Sequence, residues 1–172
     1  MSPCCPPAFP LTFLATVVAA CLSGRAAGGE PDGPAHVDPG LGPGFEAAVD
    51  DAARRLDERP CALVLSDFLD SRTGRTLAEN LARTGRTASE HVRSLWFSGS
   101  SGLRRLSGRR VYAFTRPSSP VVYLCRDELG RLRTQRRLVS AIVIHEVLHT
   151  LGLAEDAPSS VEVTARVRAR CG

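Results

Sequence analysis

Apolar side chains recur at Phe45, Ala48, Val49, Ala52 and Leu56, the three-and-four spacing of one helix face, and Pro60 ends that run. Cys61 to Leu65 follows as an unbroken apolar run and predicts a short buried strand. The chain then echoes itself, because Arg72-Thr73-Gly74-Arg75-Thr76 recurs as Arg83-Thr84-Gly85-Arg86-Thr87. A single recurrence is too little for a stacked-repeat architecture. It has a local reading instead: in each copy the last Thr stands three residues before a Glu, Glu79 or Glu90, which is the capping box that starts a helix. Two short helices are predicted, the first turning Leu77 and Leu81 inward and the second Val92, Leu95 and Trp96.

Gly99 to Arg110 is rich in Gly, Ser and Arg and reads as an exposed loop. Arg110 to Thr115 and Pro120 to Cys125 are β-rich runs separated by Arg116-Pro117-Ser118-Ser119, which predicts an antiparallel pair. Arg131 to Arg137 is basic and polar, and Leu138 begins a helix that is apolar on nearly every side through Ile144, the pattern of a buried helix. Ser159 and Glu162 form a third capping box, ahead of a helix with Val163 and Val167 inward. Helices and a small strand pair in this order give an α+β fold with an antiparallel or mixed sheet packed on the buried helix.

The amino terminus differs. Residues 1–20 hold no charged side chain, and Ala8 to Leu22 is an apolar stretch of 15 residues, short of the roughly 20 needed to span a bilayer. Its length and the small residues after it fit a signal peptide over residues 1–20. Val18-Ala19-Ala20-Cys21 is similar to a bacterial lipobox, which implies a lipid anchor at Cys21. From Leu22 to Gly44 the chain has 7 Gly and 4 Pro and no aromatic residue, so residues 21–44 read as a flexible linker with His36 solvated. The folded domain is then residues 45–172. An exported protein results, either secreted or held at the cell envelope.

With 172 residues and 43% hydrophobic positions, one domain with a real core is expected, and membrane, collagen-like and disulfide-knot classes are excluded. All 22 basic residues are Arg, and the net charge is only +4 because 18 acidic residues are mixed among them, so no specific nucleic-acid partner is expected. Outside the export segment Cys61, Cys125 and Cys171 remain, of which two can pair and leave one over.

Chemistry concentrates at His145-Glu146-Val147-Leu148-His149, in the middle of the buried helix. Residues four apart share a helix face, so both imidazoles can point at one zinc ion, while Glu146 is placed to act as general base on a water at that metal. Burying two His and a Glu together is otherwise costly. The stretch from His145 through Thr150-Leu151-Gly152-Leu153 resembles the zincin metallopeptidases, in the long form His-Glu-x-x-His-x-x-Gly of the metzincin branch, and small exported bacterial proteins of the same pattern.

That resemblance implies a zincin-like fold and a zinc-dependent peptidase. His145 and His149 would be ligands of Zn2+, and Glu146 the base that lets a zinc-activated water attack a peptide bond. The metzincin third ligand stands three residues after the Gly, where this chain has Glu155, and the alternative is Glu162, as in the gluzincin branch. The metzincin Met-turn is absent, since Met1 is the only Met. Tyr112, Tyr123 and His91 are candidate oxyanion donors by residue type. By the same analogy an edge strand, Val121 to Cys125 or its neighbour, would pair with an extended peptide or protein substrate. A monomer is expected. The alternative function is an inactive, zinc-stabilised envelope lipoprotein that binds a partner.

Overall fold

The stripe from Phe45 to Leu56 folds into helix α1 (Pro43–Asp57) and is buried along its whole length. The computed structural model describes residues 33–100, 111–132, 134–155 and 157–172. The expected signal peptide, Cys21 and the first half of the expected linker lie outside these residues.

The last part of that linker, from Ala35 onward, is folded, which corrects the boundary at Gly44. His36–Val37 form strand β1, Asp38 caps a single 3-10 turn over Pro39–Leu41, and α1 starts at Pro43. The Gly and Pro residues that gave this stretch its linker composition serve the helix start instead. Gly42 takes φ 78° at the N-cap, and Pro43 occupies the first turn, where no backbone donor is needed. His36 is exposed as expected, yet its ring stacks on Trp96 at 4.3 Å between centroids.

The apolar run at Cys61 is also corrected, because it is helical rather than a strand: α2 (Arg59–Ala62) continues into a 3-10 turn over Leu63–Leu65. Burial follows the helical period there, with Cys61, Val64 and Leu65 inside and Leu63 exposed. A short apolar run does not distinguish the two states by itself.

Both copies of the echo start helices, α3 (Leu77–Thr84) and α4 (Ala88–Arg93), through complete capping boxes. Leu77, Leu81 and Val92 point inward as expected. Leu95 is buried but lies beyond α4, and Trp96 opens strand β2 (Trp96–Ser100) with its side chain exposed. The loop expected from Gly99 therefore begins with the end of a strand, and residues 101–110 lie outside the described set.

The expected antiparallel pair is present as β3 (Ala113–Thr115) and β4 (Val121–Cys125). The four strands form one mixed sheet in the order β1-β2-β4-β3, with β1, β2 and β4 parallel. Phe97, Val122 and Leu124 turn to the core, while Trp96 and Tyr123 stand on the opposite, exposed face. After β4 come α5 (Arg126–Gly130), the motif helix α6 (Arg136–Thr150) and α7 (Ser160–Cys171), which buries Val163 and Val167. The architecture is thus α+β, with seven α-helices and a four-stranded mixed sheet among the described residues.

A disulfide joins Cys61 on α2 to Cys171 at the end of α7, and Cys125 is free and buried. It closes a loop with a sequence separation of 110 residues, which restricts the unfolded chain strongly. Cys61→Ala with Cys171→Ala is expected to lower unfolding free energy by about 3 to 5 kcal/mol. Urea denaturation of the variant against the oxidised protein measures this, and equal stabilities would show that the cross-link contributes nothing.

Candidate metal centre

Helix α6 runs through the core with Val143, Ile144, Val147 and Leu148 fully or almost fully buried, and it carries His145, Glu146 and His149 into the same interior. It is anchored on α1 by Ser140, whose hydroxyl lies 3.1 Å from the Ala48 carbonyl and 2.8 Å from Asp51 Oδ2. The helix stops at Gly152, which has φ 110°. A side chain there would be strained and would also stand 2.9 Å from Asp70 Cγ, so the reversal requires Gly. Asn80 on α3 secures the turn by donating to the Leu151 carbonyl at 2.8 Å and to Asp70 Oδ2 at 3.1 Å.

The reversal brings the Leu153 carbonyl to 2.8 Å from His149 Nδ1. A carbonyl only accepts, so a proton sits on Nδ1, and Nε2 is the ring nitrogen turned toward the neighbouring side chains. His149 Nε2 lies 3.1 Å from His145 Nε2 and 3.2 Å from Glu155 Oε1. The other nitrogen of His145, Nδ1, lies 3.1 Å from Thr164 Oγ1 on α7. Donor atoms of His145, His149 and Glu155 all fall within 4.8 Å of one another. A contact such as that between the two Nε2 atoms is held by a shared proton or by a cation, and two imidazoles with a carboxylate are a donor set that suits zinc. His149 has none of its surface exposed, whereas the Glu155 side chain is 51% exposed and closes the cluster from the solvent side.

Of the two candidate third ligands, the fold brings only Glu155 to the imidazoles. Glu162 is held by its capping box, where one carboxylate oxygen lies 2.8 Å from the Ser159 amide and 2.7 Å from its hydroxyl. These hydrogen bonds keep its pKa below the ordinary glutamate value.

Glu146 is buried beside the cluster, and its Oε2 has no hydrogen-bond partner. Burial, with a smaller contribution from the charge of Glu155, pushes its pKa up to about 8. Burial, then the neighbouring His149, pushes His145 down to about 4. Glu146, His145 and Glu155 line a cavity of about 730 Å³ whose far wall is β3 and the residues just before it. The strand beside the cluster is thus the edge strand β3, the neighbour of Val121 to Cys125, which itself lies inside the sheet.

Tyr112 lines this cavity. Tyr123 and His91 do not: Tyr123 stacks on Phe114 at 4.9 Å on the exposed sheet face, and His91 bonds Thr150 in a separate pocket. Thr164, Asn80 and Asp70 are not legible as site residues in the sequence. Their partners are distant in the chain, and the one local hint is Asn80, a poor helix former inside α3. Comparison with protein-family models, curated proteins and solved structures finds no match.

Glu146 gives the metal-free protein a characteristic pH dependence. Its folded pKa lies above the ordinary value of 4.5, so the stability it lends is present below that value and is lost as pH rises through about 8. His145 acts at the other end, losing its contribution as pH falls from 6.5 through about 4. Thermal melting of chelator-treated protein should therefore fall between about pH 6.5 and 8, and Glu146→Gln should flatten that limb. An identical slope in both proteins would show that Glu146 is not held protonated.

Proposed function

We propose that this protein is an exported zinc-dependent metallopeptidase with a zincin-like arrangement of sheet and motif helix. The observation that carries the reading is the convergence of one ligand-type atom each from His145, His149 and Glu155 beside a buried Glu146 carboxyl with a partnerless oxygen. His145, His149 and Glu155 would hold the zinc. When bound, zinc acts as a Lewis acid on a carbonyl oxygen and lowers the pKa of water toward about 7.

The chain's own residues supply the remaining steps. Glu146, ionised when a cation beside it offsets the burial that otherwise keeps it protonated, would take a proton from the attacking water on Oε2 and deliver it to the leaving amine. The outer edge of β3 offers backbone donors and acceptors to an extended peptide lying along the cavity. Tyr112, on the wall of that cavity, is the remaining candidate donor to an oxyanion. Export and a lipid anchor at Cys21 rest on the sequence alone. Mass spectrometry of the mature amino terminus should find acyl chains on Cys21, and an unmodified Cys21 would replace the anchored form by a secreted one.

Elemental analysis of protein prepared without a His-tag should find about one zinc per chain. Glu146→Gln should keep that zinc while lowering hydrolysis of a peptide library by about 100-fold or more, and His149→Ala should lose both. Glu155→Ala should weaken zinc binding more than Glu162→Ala. Undiminished activity in Glu146→Gln would overturn the mechanism. Zinc without turnover in the wild type would instead give the inactive, zinc-stabilised lipoprotein.

A further inference from the structure

The echo at residues 72–76 and 83–87 has a part that capping does not explain. Thr76 and Thr87 cap α3 and α4, and Gly74 and Gly85 adopt almost the same left-handed turn, at φ 71° and 70°. The arginines do none of this, yet Arg72, Arg75, Arg83 and Arg86 all line a single pocket of about 630 Å³. That pocket is separate from the cavity at His145 and Glu146.

The acids nearby are already engaged. Glu79 and Glu90 fold back on the N-caps, and the buried Asp70 carboxylate accepts from the Arg72 amide, the Thr73 hydroxyl and Asn80. Among the described residues no carboxylate forms a contact salt bridge with any of the four guanidinium groups, although the charge of Arg75 acts on Glu79. Arg86 donates to the Ser94 hydroxyl at 3.0 Å, a neutral partner. Four fixed positive charges therefore line one concavity with a single carboxylate in its wall, Asp70, and the surplus of positive charge is the electrostatics of an anion site.

His91, 8% exposed, provides an independent second observation on the same wall. Its Nε2 lies 2.9 Å from the Thr150 hydroxyl, which itself donates to the Val147 carbonyl, so the Nε2 proton points to Thr150. The other nitrogen, Nδ1, is buried and has no partner. Burial, then the charge of Arg86, holds His91 well below its ordinary pKa, at about 4, so at neutral pH Nδ1 is a bare acceptor.

We propose that this pocket binds a small molecule carrying two or more phosphate-class groups, with the two copies of the echo each contributing an arginine pair. Two pairs and a volume well beyond one phosphate favour a doubly substituted anion over inorganic phosphate. Guanidinium forks match the oxygens of such groups in bidentate fashion. The inference is independent of the peptidase reading, since none of these residues belongs to the His-His-Glu cluster.

The test is calorimetric titration of the full chain with pyrophosphate, and separately with inorganic phosphate, at constant ionic strength. Pyrophosphate should bind saturably at one site and more tightly than phosphate. Arg75→Gln with Arg86→Gln should weaken it by about tenfold or more, and Arg72→Gln with Arg83→Gln provides a second variant that leaves the residues before the N-caps intact. Arg137→Gln, outside the pocket, should change nothing. Because pyrophosphate also chelates metal, the titration is repeated in His149→Ala, which should bind as the wild type does. Vesicles of phosphatidylcholine with and without phosphatidic acid tell a lipid headgroup from a free ligand as the source of the phosphate. Absence of saturable binding, arginine variants that bind like the wild type, or binding lost in His149→Ala alone would overturn the proposal.

Discussion

Two imidazoles and a carboxyl group enter an apolar core on one helix, and an unpaired polar group in that setting costs several kcal/mol, so the surrounding elements must satisfy them. Each partner comes from a different part of the chain. The Leu153 carbonyl reaches His149 only because the chain reverses at Gly152, and Thr164 reaches His145 only because α7 lies along α6. The reversal depends in turn on Asn80 and Asp70, which precede the motif by more than sixty residues. The disulfide fixes the far end of α7 to α2. Of these three groups the one left with an unmet atom is Glu146, whose Oε2 is, with His91 Nδ1, one of two buried side-chain atoms without a hydrogen-bond partner among the described residues.

How much of this is legible in the sequence follows from how local each signal is. The apolar stripe of α1 and the three capping boxes are written within a few residues, and those helices form where the pattern predicts them. The His-Glu-x-x-His spacing is equally local, so the helical period alone sets His145, Glu146 and His149 on one stripe. Strand β2 escapes the pattern because Ser98, Gly99 and Ser100 carry almost no hydrophobic signal, and the strand exists through pairing with β1 and β4. Gly99 also lies under the Arg126 side chain, which a Cβ there would displace. Strand β1, only two residues long, sits in a stretch whose Gly and Pro content suggests a linker. Composition shows that a segment cannot build its own core, not that it cannot add to another.

The echo shows how one sequence feature can serve two levels of structure. At the local level each copy is a left-handed Gly turn and a capped helix start. At the tertiary level the short α3 between them returns the chain so that both arginine pairs face one pocket. The residues of the two tasks are interleaved without competing, since the Thr and Glu side chains are spent on backbone groups and the arginines are not. His91 and Thr150 link that pocket wall to the end of α6, directly after His149.

The two carboxylates that could complete the cluster differ in what they would have to give up. Glu162 holds the amide and hydroxyl of Ser159, and withdrawing a cap of this kind costs a helix about 1 kcal/mol. The loss would not stay local, because α7 also positions Thr164 against His145 and ends in the cross-linked Cys171. Glu155 holds no such bond: its oxygen already stands 3.2 Å from His149 Nε2, on a half-exposed side chain three residues after the Gly152 turn. Bringing Glu155 to a cation would break no cap, whereas bringing Glu162 there would first break a satisfied network. The same physics that makes Ser159 and Glu162 a reliable helix start in the sequence argues against Glu162 as a ligand, and leaves the short loop after Gly152 as the source of the third donor.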